Sequence, residues 1–225
     1  MQDIIKNMEN IIKNMENIIK NEGILIIENY INNDICKNII INMEKTKGNF
    51  EYCNANSHIF GSGNDLRCKI YEKYDKYADE FLNDNNIHNL FEKILERKIT
   101  VKRCQAGIVK FNKDNITSSG GGWHIDNKNI QLKAILYLND VNTKNGPFIY
   151  IKNTQGGLDL ENTIGDISKT RFDDTIIKTS EKIKKENIIE VTGKAGTLIL
   201  VRTDNIHKGK IIEEGIRYSL TNYYY

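Results

Sequence analysis

Apolar and polar positions repeat in a seven-residue pattern at the start of the chain. The segment IIKNMEN occupies residues 4–10 and recurs at 11–17, and a third copy begins at Ile18. The apolar positions alternate four and three residues apart, which predicts an amphipathic helix that Gly23 ends. Two interpretations stay open: a coiled coil that forms a homodimer through this leader, residues 1–22, or a helix that lies on the domain or frays. The spacing is defined by Ile4, Met8, Ile11, Met15 and Ile18.

Between residues 23 and 97 the pattern of apolar positions changes several times. The run GILIIENYI, residues 23–31, is typical of a buried strand, and residues 32–46 have the spacing of a capped helix. Residues 48–68 are rich in Gly, Asn and Ser, which favours a long loop. Helical spacing returns over residues 69–97. We therefore expect helices on both sides of one loop in this part of the chain.

From Ile99 onward, short apolar runs replace the helical spacing. They are rich in β-branched and aromatic residues, and Gly, Asn and Asp separate them. This texture is typical of an all-β barrel or sandwich. No helix of convincing length lies between the runs, which argues against a parallel α/β sheet. The whole pattern predicts a mainly β protein with flanking helices.

Composition and charge exclude several classes of protein. The chain has 225 residues with 32 Lys and Arg against 30 Asp and Glu, a balance that argues against a nucleic-acid partner. No apolar run reaches the roughly 18 residues that would cross a bilayer, so we expect no membrane partner. The N-terminus also lacks the apolar core of a signal peptide. The four cysteines form no CxxC pair, which favours reduced thiols and a cytoplasmic protein.

The stretch GGGWHIDN places two metal-binding side chains two residues apart. In an extended segment His124 and Asp126 point to the same face, so an imidazole nitrogen and a carboxylate oxygen can approach one ion. His207 follows another predicted strand and can supply a third ligand. Two histidines and one carboxylate on one side of an ion leave the other octahedral positions open, which suits a non-haem Fe(II) oxygenase. We therefore predict that these three residues are catalytic metal ligands.

A cationic side chain follows the third metal ligand closely. Arg217 lies in the run GIRYSLTNY, and on a strand it shares a face with Ser219 and Thr221. A guanidinium forms two parallel charge-assisted hydrogen bonds with a carboxylate, and a hydroxyl can add another. The arrangement would hold a dicarboxylate with one end on the metal and the other on Arg217. Further candidates for a contact with this ligand, on the strand before the metal motif, are Gln105, Lys110 and Asn112.

Several runs of the sequence match one family in the same order. They are GILIIENYINNDICKNII, GGGWHIDN, KAILYLNDVNTKNGPFIYI, GKAGTLILVRTDNIHKGK and GIRYSLTNYYY. On these runs the chain resembles the iron(II)- and 2-oxoglutarate-dependent dioxygenases, most closely the phytanoyl-CoA dioxygenase-like (PhyH) branch. The resemblance covers most of residues 23–225. It implies a single dioxygenase domain over that range, built on a double-stranded β-helix, the cupin-like jelly roll, with helices packed on one side.

The resemblance also implies a role for each site residue. It assigns Fe(II) to the three metal ligands named above and the distal carboxylate of 2-oxoglutarate to Arg217. Ser219 matches the Arg-x-Ser form of this carboxylate clamp. Tyr137 matches a tyrosine that some relatives use to bond the same carboxylate, and the alternative for it is a core tyrosine with a satisfied hydroxyl.

The activity that the resemblance implies is hydroxylation of a small-molecule substrate with O2, while 2-oxoglutarate is converted to succinate and CO2. Because Asp126 is present, hydroxylation is expected rather than the halogenation performed by relatives that lack this carboxylate. Two other classes stay open: a cupin-like metal protein with non-oxidative activity, and a non-catalytic jelly-roll binding module. The substrate pocket is expected to draw on residues 50–68 and 153–180, which carry no readable signature.

Overall fold

The computed structural model describes most of the chain. It covers residues 2–52, 65–113, 122–154, 170–172, 174–181 and 183–225, with side chains from Asn10 onward except that of Ile176. Most of the two expected pocket segments, 50–68 and 153–180, lies outside these ranges.

Antiparallel strands dominate the described structure, and most of the helices precede them. The helices are α1 (Gln2–Glu22), α2 (Asn33–Lys45), α3 (Lys76–Leu82), α4 (Asn85–Leu95) and α5 (Asp174–Thr179). The strands are β1 (Ile24–Ile27), β2 (Glu51–Tyr52), β3 (Asp65–Cys68), β4 (Lys102–Lys110), β5 (Trp123–His124), β6 (Leu132–Tyr137), β7 (Phe148–Ile151), β8 (Arg171–Phe172), β9 (Ile188–Val191), β10 (Leu198–Arg202), β11 (His207–Gly209) and β12 (Ile216–Tyr224). The predicted change from helices to strands near residue 99 is confirmed.

Asn or Asp precedes three of the helices, and its side-chain oxygen accepts hydrogen bonds from backbone N–H groups that are free at the helix start. Asn32 caps α2 by accepting a hydrogen bond from the N–H of Ile35 at 2.9 Å. Asp75 and Asp84 cap α3 and α4 in the same way. The helical region predicted over 69–97 is therefore divided, because Asp84 starts a new helix.

The strands form two sheets that face each other. The major sheet has the order β1-β10-β6-β12-β4-β3-β2, and the minor sheet has the order β8-β5-β11-β7-β9. An apolar cluster joins the two sheets, with Ile135 and Ile199 from the major sheet and Phe148 and Val191 from the minor sheet. Residues of α2, α3 and α4 form a second, larger cluster with the other face of the major sheet. The mainly β architecture with helices on one side was predicted.

Alternation of side chains along β12 divides this strand between two layers. Leu220 and Tyr224 are buried in the cluster that contains the helices. Arg217 and Ser219 are buried on the opposite face, toward the minor sheet. The major sheet thus has an apolar outer face and an inner face that carries polar and charged side chains.

Two boundaries differ from those expected. The strand predicted over 23–31 ends at Ile27, and Asn29 then turns the chain with a φ of 54°. The loop predicted over 48–68 contains β3, whose four residues pair with β4. A four-residue run with two charges does not indicate a strand until its pairing with a distant strand is known.

Residues 2–22 form α1, where the sequence predicts the leader helix, and the heptad residue Met15 is half-buried against the core of the domain. Ile11, a heptad position, is 54% exposed, whereas Ile19 is fully buried among the helices and the major sheet. The carbonyl of Lys20 accepts a hydrogen bond from the Arg202 guanidinium at 3.1 Å. The end of α1 is therefore in contact with the core of the domain.

Helix α1 is long but strongly polar, with Lys, Asn and Glu throughout its length. Within the described ranges, no helix is long and apolar enough to cross a membrane. Cys36, Cys68 and Cys104 are buried, and none of these three forms a disulfide.

We predict that Ile19 and Ile11 contribute unequally to stability. Ile19→Ala should lower the free energy of unfolding by about 2–5 kcal/mol, because it removes a buried side chain and leaves a cavity. Ile11→Ala, the matched control in the same helix, should change it by less than about 0.5 kcal/mol, because Ile11 is exposed. Urea denaturation measures both values, and equal values would contradict the docking of α1.

Candidate metal centre

Two short strands of the minor sheet bring the predicted histidine ligands side by side. Strands β5 and β11 pair with His207 opposite His124, and the two ring centroids are 4.3 Å apart. Asp126 follows β5, and its N–H donates to the carbonyl of Thr203 at 2.9 Å. Alternation along this extended segment turns the carboxylate to the same side as His124. The three predicted metal ligands therefore meet in space.

The distances between the ligand atoms fit a single cation. Asp126 Oδ1 lies 3.7 Å from His124 Nε2, and Asp126 Oδ2 lies 3.6 Å from His207 Nε2. One ligand atom from each residue lies within 4.8 Å of the other two. Two atoms that each bond a metal at about 2.1 Å are at most about 4.2 Å apart, so small adjustments close this set on one ion. Two imidazoles and one carboxylate are the donor set of non-haem Fe(II) oxygenases, and the residues present fit that ion.

Backbone carbonyls fix the orientation of both imidazoles. His124 Nδ1 lies 2.8 Å from the carbonyl oxygen of Gly122, and His207 Nδ1 lies 2.8 Å from that of Asn205. Because a carbonyl oxygen only accepts, each Nδ1 carries the proton and donates it. Each Nε2 is then unprotonated, and its lone pair is available to a metal.

Burial keeps the histidines neutral, and neighbouring charges keep the aspartate ionised. Desolvation, together with the nearby His207, lowers the pKa of His124 to about 3. Desolvation also lowers the pKa of His207. Burial opposes the ionisation of Asp126, but the Lys133 ammonium holds the pKa of this carboxyl well below its usual range. At neutral pH the site offers two neutral nitrogens and one anionic oxygen ligand.

The segment before His207 is held by its own network of bonds. Arg202 forms a two-point ion pair with the fully buried Asp204, at 3.1 and 2.6 Å. Asn205 Oδ1 accepts from the N–H of Thr154 at 3.0 Å, and Thr154 Oγ1 accepts from the backbone N–H just before His207 at 2.9 Å. These contacts fix the turn between β10 and β11 and, with it, the position of the third ligand.

A cavity of about 330 Å³ opens beside the three metal ligands, between the two sheets. Arg217, Ser219 and Tyr137, which we predict to bind the cosubstrate, all line it. A larger, mainly apolar cleft of about 670 Å³ lies between α1 and α4, and none of these described site residues lines it. The cavity of the metal site is also lined by Asp65, Arg67, Gln105, Lys133, Arg171 and Tyr223.

Arg217 and Ser219 project from β12 into this cavity. Burial lowers the pKa of the Arg217 guanidinium, against the opposing influence of Tyr137 and Asp65. Within the described part of the chain, no side chain forms a hydrogen bond or ion pair with Arg217. Gly107 lies opposite Ser219, and a Cβ there would come within 3.3 Å of Ser219 Oγ. Glycine at this position therefore leaves room beside the hydroxyl for a ligand.

Backbone groups engage the hydroxyl of Tyr137. It donates to the carbonyl of Val191 at 3.0 Å and accepts from the N–H of Phe148 at 2.8 Å. Tyr137 is fully buried, and desolvation raises its pKa to about 12. Because its only proton is used within the protein, these bonds favour a core tyrosine over a contact with the cosubstrate. The contact stays a prediction that a phenylalanine variant tests below.

The three further candidates from the sequence divide between two pockets. Gln105 lines the cavity of the metal site, whereas Lys110 and Asn112 line a separate pocket. Alternation along β4 explains the difference, because Gln105 shares its face with Gly107 and Lys110 lies on the other face.

The structure adds charged residues to the site that the sequence analysis missed. Lys133 lies within the apolar run LKAILYL, and a charge inside an otherwise buried strand was a signal that could have identified it. Arg171 lies on the two-residue strand β8, which is too short to recognise from its sequence. Asp65 and Arg67 form a two-point ion pair at 3.0 and 2.6 Å, in a segment that was expected to be a loop.

Comparison with known proteins identifies the family of the chain. A sequence model of the family Phytanoyl-CoA dioxygenase (PhyH) matches residues 19–211, which include all three metal ligands, while Arg217 lies beyond the end of the match. The chain belongs to this family, and it is an oxygenase of the iron(II)- and 2-oxoglutarate-dependent class. The predicted cofactors Fe(II), 2-oxoglutarate and O2 are those of this class. The search of curated proteins gave no match.

Solved structures are similar over most of their length at low sequence identity. The non-haem α-ketoglutarate-dependent epimerase SnoN from nogalamycin biosynthesis has a TM-score of 0.68 and 11% identity, covering 96% of this chain and 83% of its own. A prolyl-4-hydroxylase of Pseudomonas putida has a TM-score of 0.63 and 13% identity, covering 95% and 97%. HygX of Streptomyces hygroscopicus, solved with nickel, 2-oxoglutarate and hygromycin B, has a TM-score of 0.61 and 11% identity, covering 92% and 84%. The expected jelly-roll fold is confirmed.

We expect His207→Ala to abolish stoichiometric binding of Fe(II) while the fold is retained, because two protein ligands hold the ion too weakly against water. His88→Ala is the matched control, since His88 lies in α4 near Glu92, away from the site. Iron content after anaerobic dialysis measures the effect, and circular dichroism checks the fold. An unchanged iron content in His207→Ala would rule out this assignment of the ligands.

Proposed function

We propose that this PhyH-family oxygenase hydroxylates a small molecule, with Fe(II), 2-oxoglutarate and O2 as cofactors and with release of succinate and CO2. One observation carries the proposal: a single cavity is lined both by the metal-binding triad and by a buried guanidinium that forms no hydrogen bond or ion pair with a described side chain. A dicarboxylate that spans the cavity would bind the metal at one end and the guanidinium at the other. A metal protein with non-oxidative activity would have no need of this second group.

The metal ligands of the chain have distinct parts in this function. His124 and His207 would bind iron(II) through Nε2, because backbone carbonyls hold the proton on each Nδ1. Asp126 would add a negative charge. Three protein ligands leave three octahedral positions for the cosubstrate and O2. When bound, these groups supply the oxidation of an unactivated C–H bond, and the protein supplies its position relative to the metal.

Arg217 and Ser219 would hold the distal carboxylate of 2-oxoglutarate. A buried cation is costly unless an anion accompanies it, and burial already disfavours the charged form of Arg217. The planar guanidinium can form two parallel hydrogen bonds with a carboxylate, and the Ser219 hydroxyl can donate another. The space that Gly107 leaves beside Ser219 supports this placement.

The cavity favours a small substrate with polar groups. Its volume of about 330 Å³ is near the lower end of the range for small-molecule sites, about 300–1,000 Å³. Three charged side chains, those of Asp65, Arg67 and Arg171, line it in addition to the metal ligands and Arg217. Two structural relatives support a small-molecule substrate, since SnoN was solved with nogalamycin RO and HygX with hygromycin B.

The experiment that tests the function separates oxygen transfer from other outcomes. The Fe(II)-loaded protein is incubated with 2-oxoglutarate and 18O2, first alone and then with a metabolite extract, while succinate and labelled products are measured. We expect succinate in both cases and one 18O atom in a new product, and neither with His207→Ala. Succinate together with an unlabelled, rearranged product would replace hydroxylation by epimerisation or ring closure. No succinate from iron-loaded protein would favour the non-oxidative or non-catalytic alternatives.

We predict that Arg217→Ala weakens the binding of 2-oxoglutarate about ten- to a hundredfold. The loss follows from a charge-assisted pair worth roughly 1.5–3 kcal/mol, at about 1.4 kcal/mol per factor of ten. Arg217→Lys should recover part of the affinity, because it keeps the charge without the planar fork. Anaerobic titration of the iron-to-ligand charge-transfer band measures affinity, and iron binding should not change. Wild-type affinity in Arg217→Ala would contradict the clamp.

The same titration decides the role of Tyr137. If its hydroxyl belongs to the core, Tyr137→Phe should bind 2-oxoglutarate like the wild type and lower the free energy of unfolding by about 1–3 kcal/mol, since it leaves buried backbone groups unpaired. A loss of affinity of about tenfold or more would instead support the predicted contact with the carboxylate.

A further inference from the structure

A buried lysine lies against the carboxylate of the metal site. Lys133 is on β6, its side chain is 9% exposed, and its Nζ is 2.5 Å from Asp126 Oδ2. The ammonium also lies 4.5 Å from the centre of the Tyr223 ring, which is on the neighbouring strand at the same register position. The aromatic face and the carboxylate hold the ammonium at one place.

The two oxygens of Asp126 consequently have different surroundings. Each oxygen lies near one imidazole, Oδ1 at 3.7 Å from Nε2 of His124 and Oδ2 at 3.6 Å from Nε2 of His207, but the Lys133 ammonium is paired with Oδ2. A carboxylate can bind a metal through one oxygen or through both. An oxygen whose charge is already balanced by an ammonium in an ion pair is a poorer metal ligand than its neighbour without that contact.

We propose that Lys133 is a positioning residue that occupies Oδ2 and restricts Asp126 to one metal-bonding oxygen, Oδ1. The inference rests on the proposed metal site and goes beyond it, because it assigns a role to a residue that is not a ligand.

The restriction to one oxygen matters because it sets how many coordination positions of the metal stay open. An octahedral ion with two imidazoles and one carboxylate oxygen keeps three open positions. A 2-oxo acid that binds through its keto and carboxylate oxygens takes two of them, and one remains for O2. If Asp126 bound through both oxygens, two positions would remain, and the cosubstrate would fill both. Lys133 therefore preserves the position that the reaction needs.

The same contact between Lys133 and Asp126 lowers the affinity of the site for a metal ion. The ammonium places a positive charge beside a site for a divalent cation and withdraws one of its two anionic oxygens. Lys133→Met, which keeps the length of the side chain without its charge, should therefore bind Mn(II) more tightly than the wild type, by about tenfold or more. This gain follows from the loss of the charge alone, so the number of bound water molecules decides whether Lys133 restricts Asp126 to one oxygen.

Mn(II) is the probe for the experiment, because the relaxation of water protons counts the water molecules bound to it. The full-length protein is freed of metal, and Mn(II) affinity and bound water are measured for the wild type, Lys133→Met and Lys133→Arg. Lys210→Met is the matched control, since Lys210 pairs with Glu190 at 3.1 Å on the minor sheet and is not a neighbour of the ligands.

We expect three bound waters in the wild type and in Lys133→Arg, two in Lys133→Met, and unchanged values in Lys210→Met. Three waters in Lys133→Met, at any affinity, would overturn the role of Lys133 and leave the metal site intact. Two waters in the wild type would also overturn the role of Lys133. This measurement needs no variant, so the proposal can be tested even if Lys133→Met does not fold. Absence of Mn(II) binding in the wild type would overturn the metal site itself.

Discussion

The pairing of β5 with β11 at one register position is the constraint on which the site depends. His207 lies opposite His124 there, and Asp126 follows on the same extended segment. Because side chains alternate along a strand, a shift of one residue would turn the imidazole of His207 to the other side of the sheet. Two strands of two and three residues cannot hold this register by themselves. The buried Arg202–Asp204 pair and the bonds of Thr154 hold it from outside.

The charges of the inner face follow from this geometry. Two cations of the major sheet, Lys133 and Arg217, are buried next to the cavity, and a buried charge without a counter-ion is strongly unfavourable. Lys133 has its counter-ion within the chain, in Asp126. Arg217 forms no ion pair with a described residue, although the Asp65 carboxylate favours its charged form. In the function that we propose, the first cation would adjust a metal ligand and the second would bind an anionic ligand.

Sequence and structure agree where the deciding signal is local. Alternation placed His124 and Asp126 on one face, and the spacing of short apolar runs indicated the β architecture. The sequence pattern did not predict contacts between residues that are distant in the chain. Heptad spacing in α1 did not reveal that Ile19, rather than Ile11, docks, because the docking surface comes from other elements. The partners of the Tyr137 hydroxyl are backbone groups of other strands, which no pattern around Tyr137 indicates.

The strands that carry the triad and Arg217 are paired on both sides. The triad lies in and beside β5 and β11, and Arg217 lies on β12. Among the charged residues that line the same cavity, Arg171 lies on β8, at the edge of the minor sheet, whereas Arg67 lies on β3, between β4 and β2. A central strand is constrained by two neighbours, whereas an edge strand has only one. We therefore expect that substitution of Arg171 can alter the lining of the cavity without moving the metal-binding side chains.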